Sequence, residues 1–133
     1  LMKVGEDMTP YNKPANVHLQ SWYPQPAVVP HVDLFIHHGG NNSFNEALYF
    51  GKPAIIMPYC WDGHDNASRI EDTGYGVKLP RYDWSEQSLS EAIIDCLTNK
   101  SIQAKLPPLK EHMQKAQGGE KAAQVINDIL NLN

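Results

Sequence analysis

At 133 residues, 41% of them hydrophobic and 20% charged, the chain has apolar material for one domain with a real core and little more. The net charge is −4 and the Lys and Arg residues are scattered, which argues against a nucleic-acid-binding face, and no apolar run approaches the length that spans a bilayer. Cys60 and Cys96 show no CxxC spacing and are expected to be free thiols of a reducing compartment.

Leu1-Met2-Lys3-Val4 reads as a strand already under way rather than as a natural beginning. A turn-rich stretch, Thr9–Asn16, precedes a short strand over Val17–Gln20. Stronger strands are expected over Leu34–His37 and Ala54–Pro58, which are short, apolar and bounded by polar or breaking residues, with an edge strand over Val77–Leu79. Helices fall between them. Asn42–Phe50 ends at Gly51 with Pro53 beyond, and Asp65–Thr73 ends at Gly74. Ser85 is a natural N-cap for a helix to about Leu97 that presents Leu89, Ala92, Ile93 and Leu97 on one face. Pro107 and Pro108 are expected to separate or kink the next helical stretches. After Gly118-Gly119 the helix Glu120–Leu130 carries one apolar stripe of Ala122, Val125, Ile126, Ile129 and Leu130. Apolar runs alternating with amphipathic stretches make a single α/β domain with a mainly parallel sheet.

The chemistry concentrates between Trp22 and Ala67, centred on His38-Gly39-Gly40-Asn41-Asn42-Ser43. A strand running into glycines and then a helix gathers free backbone N–H groups and the positive end of the helix dipole at one point, where phosphates bind. Gly39 and Gly40 let the backbone approach an anion, and His38, Asn42 and Ser43 add side-chain donors. Glu46, one turn further, is placed to accept hydrogen bonds from ribose hydroxyls.

Structural explanations compete with this one. Ser43-Phe44-Asn45-Glu46 is also a capping box, in which serine and glutamate satisfy the helix's own N–H groups. His37-His38 raises a metal, but adjacent histidines at a strand end do not readily face one ion, and no ligand spacing follows. Ser43 lacks a GxSxG elbow, which weakens a Ser-His-Asp hydrolase. Asp62 and His64 fall in a polar loop, where solvent exposure is the ordinary explanation.

Together these residues resemble the signature of family-1 UDP-glycosyltransferases. The matching string is Trp22-Tyr23-Pro24-Gln25, then Phe35 to Ser43, then Glu46-Ala47, Gly51-Lys52-Pro53, Pro58, Asp62 and Asn66-Ala67. The resemblance implies the C-terminal, Rossmann-like half of a GT-B glycosyltransferase, closest in spacing to soluble bacterial-type members. It implies that Trp22 stacks on uracil and that Gln25 holds the nucleoside. It assigns His38, Gly40, Asn42 and Ser43 to the diphosphate, Glu46 to the ribose and Asp62 to the sugar. One departure is Gly63, where the family usually has glutamine; His64 or the backbone is left to compensate, and the sugar stays open.

The same resemblance implies transfer of a hexosyl group, glucose foremost, from a UDP-sugar to a small lipophilic acceptor with inversion, with no cofactor and no metal. The general base and the acceptor pocket belong to an N-terminal acceptor domain that precedes this chain. The first strand of the domain is expected to be missing before Leu1, and Leu132-Asn133 to lie near the natural domain end with no membrane anchor following. Alone, the chain is expected to be inactive. Other readings are a donor-binding subunit that pairs with a separate acceptor subunit, a non-enzymatic piece such as an antigen, and a UDP-sugar epimerase, against which the Trp22–Gln25 string speaks. Sequons at Asn41, Asn66 and Asn99, two of them inside the binding string, favour a cytoplasmic protein over one of the endoplasmic reticulum lumen.

Overall fold

The computed structural model describes residues 1–4 and 12–131. Some of the turn-rich stretch expected over Thr9–Asn16, and the end at Leu132-Asn133, lie outside the described residues.

Strand β1 (Met2–Lys3) pairs in parallel with β2 (Leu19–Gln20). Helix α1 (Gln25–Val28) continues into a 3-10 turn, Val29–His31. Strands β3 (Phe35–His37), β4 (Ala54–Ile56) and β5 (Gly76–Lys78) form a second parallel sheet in the order β3-β4-β5. Helix α2 (Asn41–Tyr49) joins β3 to β4, and α3 (Asp62–Thr73) joins β4 to β5. Helices α4 (Glu86–Thr98), α5 (Lys100–Lys115) and α6 (Gly118–Asn131) complete the chain. Alternating strand and helix with parallel pairing is the Rossmann-like α/β arrangement expected, and each strand lies within a residue or two of the span read from sequence.

Burial on β4 explains why it sits centrally. Successive side chains of a strand face opposite sides of its sheet. Ala54 and Ile56 pack on one side with Phe44, Ala47 and Leu48 of α2 and Ala67 and Ile70 of α3. Ile55 packs on the other with Leu79 and with Ala92 and Cys96 of α4. The sheet is thus covered on both faces, which parallel sheets require. Cys60 and Cys96 are both free thiols. Burial, and then Asp95, push the Cys96 thiol up to about 11, so it is an inert core group.

Several expectations are corrected. Pro107 and Pro108 do not divide the helix: α5 runs through both. Both prolines are exposed, as are Gln103 and Ala104, so the carbonyls that lose their usual i+4 partners face water. Helix α4 begins at its Ser85 cap as read, with Ser85 Oγ accepting from the Ser88 N–H at 3.0 Å, but Leu97 is exposed and Cys96 fills the core position. The α6 stripe covers nothing: Val125, Ile126, Ile129 and Leu130 are 57–66% exposed, and α6 buries no residue. No helix among the described residues is long and apolar enough to cross a membrane.

Candidate functional site

Sequence expectations converge at the carboxyl end of β3. The chain leaves β3 at His37, turns through His38 and Gly39, and enters α2 after Gly40, which occupies the N-cap position without a side-chain cap. Gly39 has φ +92°, a region that disfavours any side chain. A Cβ there would also fall 2.7 Å from the Gly63 carbonyl oxygen and 2.8 Å from Ile56 Cγ2. His38 is exposed, and its ring leans over Gly40: a Cβ on Gly40 would fall 2.7 Å from His38 Nε2.

Helix α2 starts with donors to spare. The first intrahelical bond runs from Phe44 N–H to the Gly40 carbonyl at 3.0 Å, and the Asn41 N–H donates to Asp62 Oδ2 at 3.2 Å. The N–H groups of Gly40, Asn42 and Ser43 have no protein acceptor among the described residues. Free N–H groups at the positive end of a helix dipole form an anion-binding geometry.

The capping box that competed as an explanation of Ser43 and Glu46 does not form. A box would need Ser43 at the N-cap, but α2 starts at Asn41 with Gly40 as its N-cap, which puts Ser43 inside the first turn. Gln25, from α1, reaches across instead, its Nε2 donating to Ser43 Oγ at 3.0 Å and to Glu46 Oε2 at 2.7 Å. Three of the expected site residues are therefore one hydrogen-bonded group. Trp22, three residues before Gln25, is 66% exposed, which leaves its ring face open.

Asp62 and His64 are not in a loop. They occupy the first turn of α3, which begins three residues earlier than read. The turn that delivers them has Trp61 at φ +39°, an uncommon backbone for a side-chain-bearing residue, with its indole 86% exposed. His64 lines a cleft of about 330 Å³ together with Tyr59, Lys78, Arg81 and Tyr82. There the Arg81 guanidinium lies 4.9 Å from the Tyr59 ring centroid and 5.9 Å from that of Tyr82, a cation–π arrangement. A hollow of similar volume between α5 and α6, lined by Pro108, His112 and Lys121, lies apart from these residues.

Three participants had no site role assigned from the sequence. Asn66 is buried, and its Nδ2 donates to the Gly39 carbonyl at 2.8 Å and to Asn41 Oδ1 at 2.9 Å, tying α3 to the glycine loop. Its signal was present: it falls in the buried stripe Gly63-Asn66-Ala67-Ile70, where a polar residue needs a partner. Gly63 is the second, since a Cβ on it would fall 2.7 Å from the His38 carbonyl oxygen. His37 is the third. It shares the inward face of β3 with Phe35, their rings 4.7 Å apart, and its Nδ1 accepts the Gly39 N–H at 3.0 Å. Burial, and then the neighbouring His38, lower the His37 imidazole from its ordinary value of 6.5 to about 4, so it is neutral at pH 7.

The profile of the erythromycin biosynthesis protein CIII-like C-terminal domain matches residues 4–131. The chain belongs to this family. This chain is 32% identical over 133 residues to the NDP-glycosyltransferase YjiC of Bacillus subtilis (strain 168), covering 98% of this chain and 34% of that protein. It is 38% identical over 113 residues to the sterol 3-beta-glucosyltransferase of Vanderwaltozyma polyspora, covering 85% of this chain and 9% of the relative. Among solved structures it resembles the glycotransferase of kitacinnamycin, with a TM-score of 0.81 and 26% identity over 86% of this chain and 30% of that one. This chain is thus a GT-B glycosyltransferase C-terminal domain, as the string from Trp22 to Ala67 implied. It spans about a third of the length of the Bacillus relative.

Proposed function

We propose that this domain binds the UDP-sugar donor of a glycosyltransferase. The observation that carries the reading is the Gln25–Ser43–Glu46 group, set beside a helix start whose Asn42 and Ser43 N–H groups are free. In this reading Trp22 stacks on the uracil and Gln25 steadies the nucleoside. Glu46 accepts from the ribose hydroxyls with the oxygen that Gln25 leaves open. The diphosphate lies on Gly40, Asn42, Ser43 and His38, whose donors stabilise the charge that grows as the sugar–oxygen bond breaks. Asp62 and His64, side by side at the start of α3, hold sugar hydroxyls.

The hexosyl group, glucose foremost, passes to a small lipophilic acceptor with inversion. The general base and acceptor pocket lie in a domain that this chain does not include. The name of the yeast relative, a sterol glucosyltransferase, supports both the sugar and the lipophilic acceptor. The relative named as an NDP-glycosyltransferase supports a nucleoside diphosphate leaving group. No cofactor or metal takes part in this reading, and the setting is cytoplasmic.

Titration with UDP, followed by the indole N–H resonance of Trp22, tests the binding. A saturable shift is expected, and no response at millimolar UDP overturns the assignment. Sugar transfer by the chain alone would overturn the assignment of base and acceptor pocket elsewhere. The uncovered apolar face of α6 favours a second reading, in which the acceptor domain is a separate subunit; activity restored by mixing the two chains would select it.

A further inference from the structure

The nucleotide reading uses His38 and leaves its neighbour unexplained. His37 is only 9% exposed at the end of an edge strand, a place that an apolar residue would fill without cost. Among the described residues its one side-chain hydrogen bond is from the Gly39 N–H, 3.0 Å from Nδ1. An amide N–H can only donate, so Nδ1 must be the bare nitrogen and Nε2 must carry the proton. Nε2 is buried and has no partner among the described residues. The imidazole is therefore kept at the expense of one stranded N–H, and all that it gains is the Gly39 bond.

That bond acts where the chain has least freedom. Gly39 takes φ +92°, with its carbonyl held by Asn66 Nδ2 at 2.8 Å and its α-carbon pressed against Gly63. The His37 bond thus fixes the peptide before Gly39, and the Asn66 bond the peptide after it. The free N–H groups that follow, on Gly40, Asn42 and Ser43, are left for a ligand.

We propose that His37 is a positioning residue for the diphosphate, an acceptor that fixes the His38–Gly39 peptide and thereby aims the N–H groups of Gly40, Asn42 and Ser43 at the phosphates. It touches no ligand itself. The proposal rests on the nucleotide reading for its ligand and on the Gly39 bond for its mechanism, and the two are separable by experiment.

Two variants and one spectrum test it. In His37→Asn the side-chain oxygen can replace Nδ1 as acceptor, whereas His37→Leu fills the space without one. Binding of UDP is measured by calorimetry on the wild-type chain and both variants, with circular dichroism and urea unfolding to establish that each is folded. The expected result is at least a tenfold loss of affinity in H37L and recovery to within about threefold of wild type in H37N. A long-range proton–nitrogen spectrum should show His37 with a bare Nδ1 and a protonated Nε2, unchanged between pH 8 and pH 5. Folded H37L that binds UDP as tightly as wild type overturns the proposal, and so does a His37 protonated on Nδ1. Should H37L fail to fold, weak binding by folded H37N alongside an unaltered Gly39 amide resonance overturns it equally. A wild-type chain that binds no UDP would instead defeat the nucleotide reading, and the assignment of His37 as the acceptor that fixes Gly39 would then be decided by the spectrum alone.

Discussion

Gly39 and Gly63 meet backbone to backbone: a Cβ on Gly39 would lie 2.9 Å from the Gly63 α-carbon, and a Cβ on Gly63 would lie 2.7 Å from the His38 carbonyl oxygen. Position 63 therefore has no room for a side chain on this backbone. Gly39→Ala combines a forbidden φ with this overlap and is expected to cost roughly 2–4 kcal/mol of folding stability. Gly63→Ala carries the overlap alone and should cost about 1–3 kcal/mol. Urea unfolding of both variants checks the order. Gly63→Gln is expected to weaken UDP binding rather than to add a sugar contact, because it forces α3 away from the glycine loop.

Glu46 and Gln25 should separate by ligand. A hydrogen bond to a charged group contributes about 1.5–3 kcal/mol, or roughly 10–100-fold in affinity. Glu46→Ala is expected to lose about that factor toward UDP and clearly less toward thymidine diphosphate, which lacks the 2′-hydroxyl. Gln25→Ala should weaken both nucleotides alike, since Gln25 positions Ser43 as well as Glu46. Parallel calorimetric titrations with the two nucleotides read the difference.

The buried imidazole also makes stability depend on pH. His37 is lowered to about 4 in the folded chain against an ordinary value of 6.5, so between these values the unfolded chain binds the extra proton. Stability is full above about pH 6.5 and falls as the pH drops toward 4. Each pH unit in that window removes about 1.4 kcal/mol, so about 2 kcal/mol is gone at pH 5. Subtracting the H37L curve from the wild-type curve isolates this contribution from that of the carboxylates. A difference that does not change between pH 7 and pH 5 would contradict the buried neutral state.

Helix α6 gives an opposite expectation. Val125 and Ile129 are 57% and 59% exposed, so replacing both with aspartate should change the stability of this chain by no more than about 0.5 kcal/mol per site. The same change at Ile70, which is fully buried, should unfold the domain. Thermal denaturation of the two variants makes the comparison.

The elements of this fold that could be read in the sequence are those fixed by short-range chemistry. Ala54–Ile56 declared a central strand by its unbroken apolar run, Gly74 ended α3, and Ser85 capped α4. Errors arose where a distant partner decided the outcome. Ser43 and Glu46 have capping-box spacing, but α2 starts two residues before Ser43, and Gln25 from another helix bonds both side chains. Pro107 and Pro108 are helix breakers by local rule, yet α2 packs against α5, and tertiary packing carries the helix past them. Of the candidate site, the glycine turn and the helix start that follows it were legible from the motif. Of the contacts beneath it, only Asn66 left a signal, as a polar residue in a buried stripe; those of His37 and Gly63 emerge only from their approach to Gly39 and His38.

The Asn66 amide holds the Gly39 carbonyl and the Asn41 side chain at once, so the loop, the start of α2 and α3 cannot come apart separately. Opening any one of them breaks the bonds of all three, which makes the segment a single cooperative unit. Amide hydrogen exchange at Gly39, Asn41 and Asn66 should then proceed at one common opening free energy, and Asn66→Ala should split it into three.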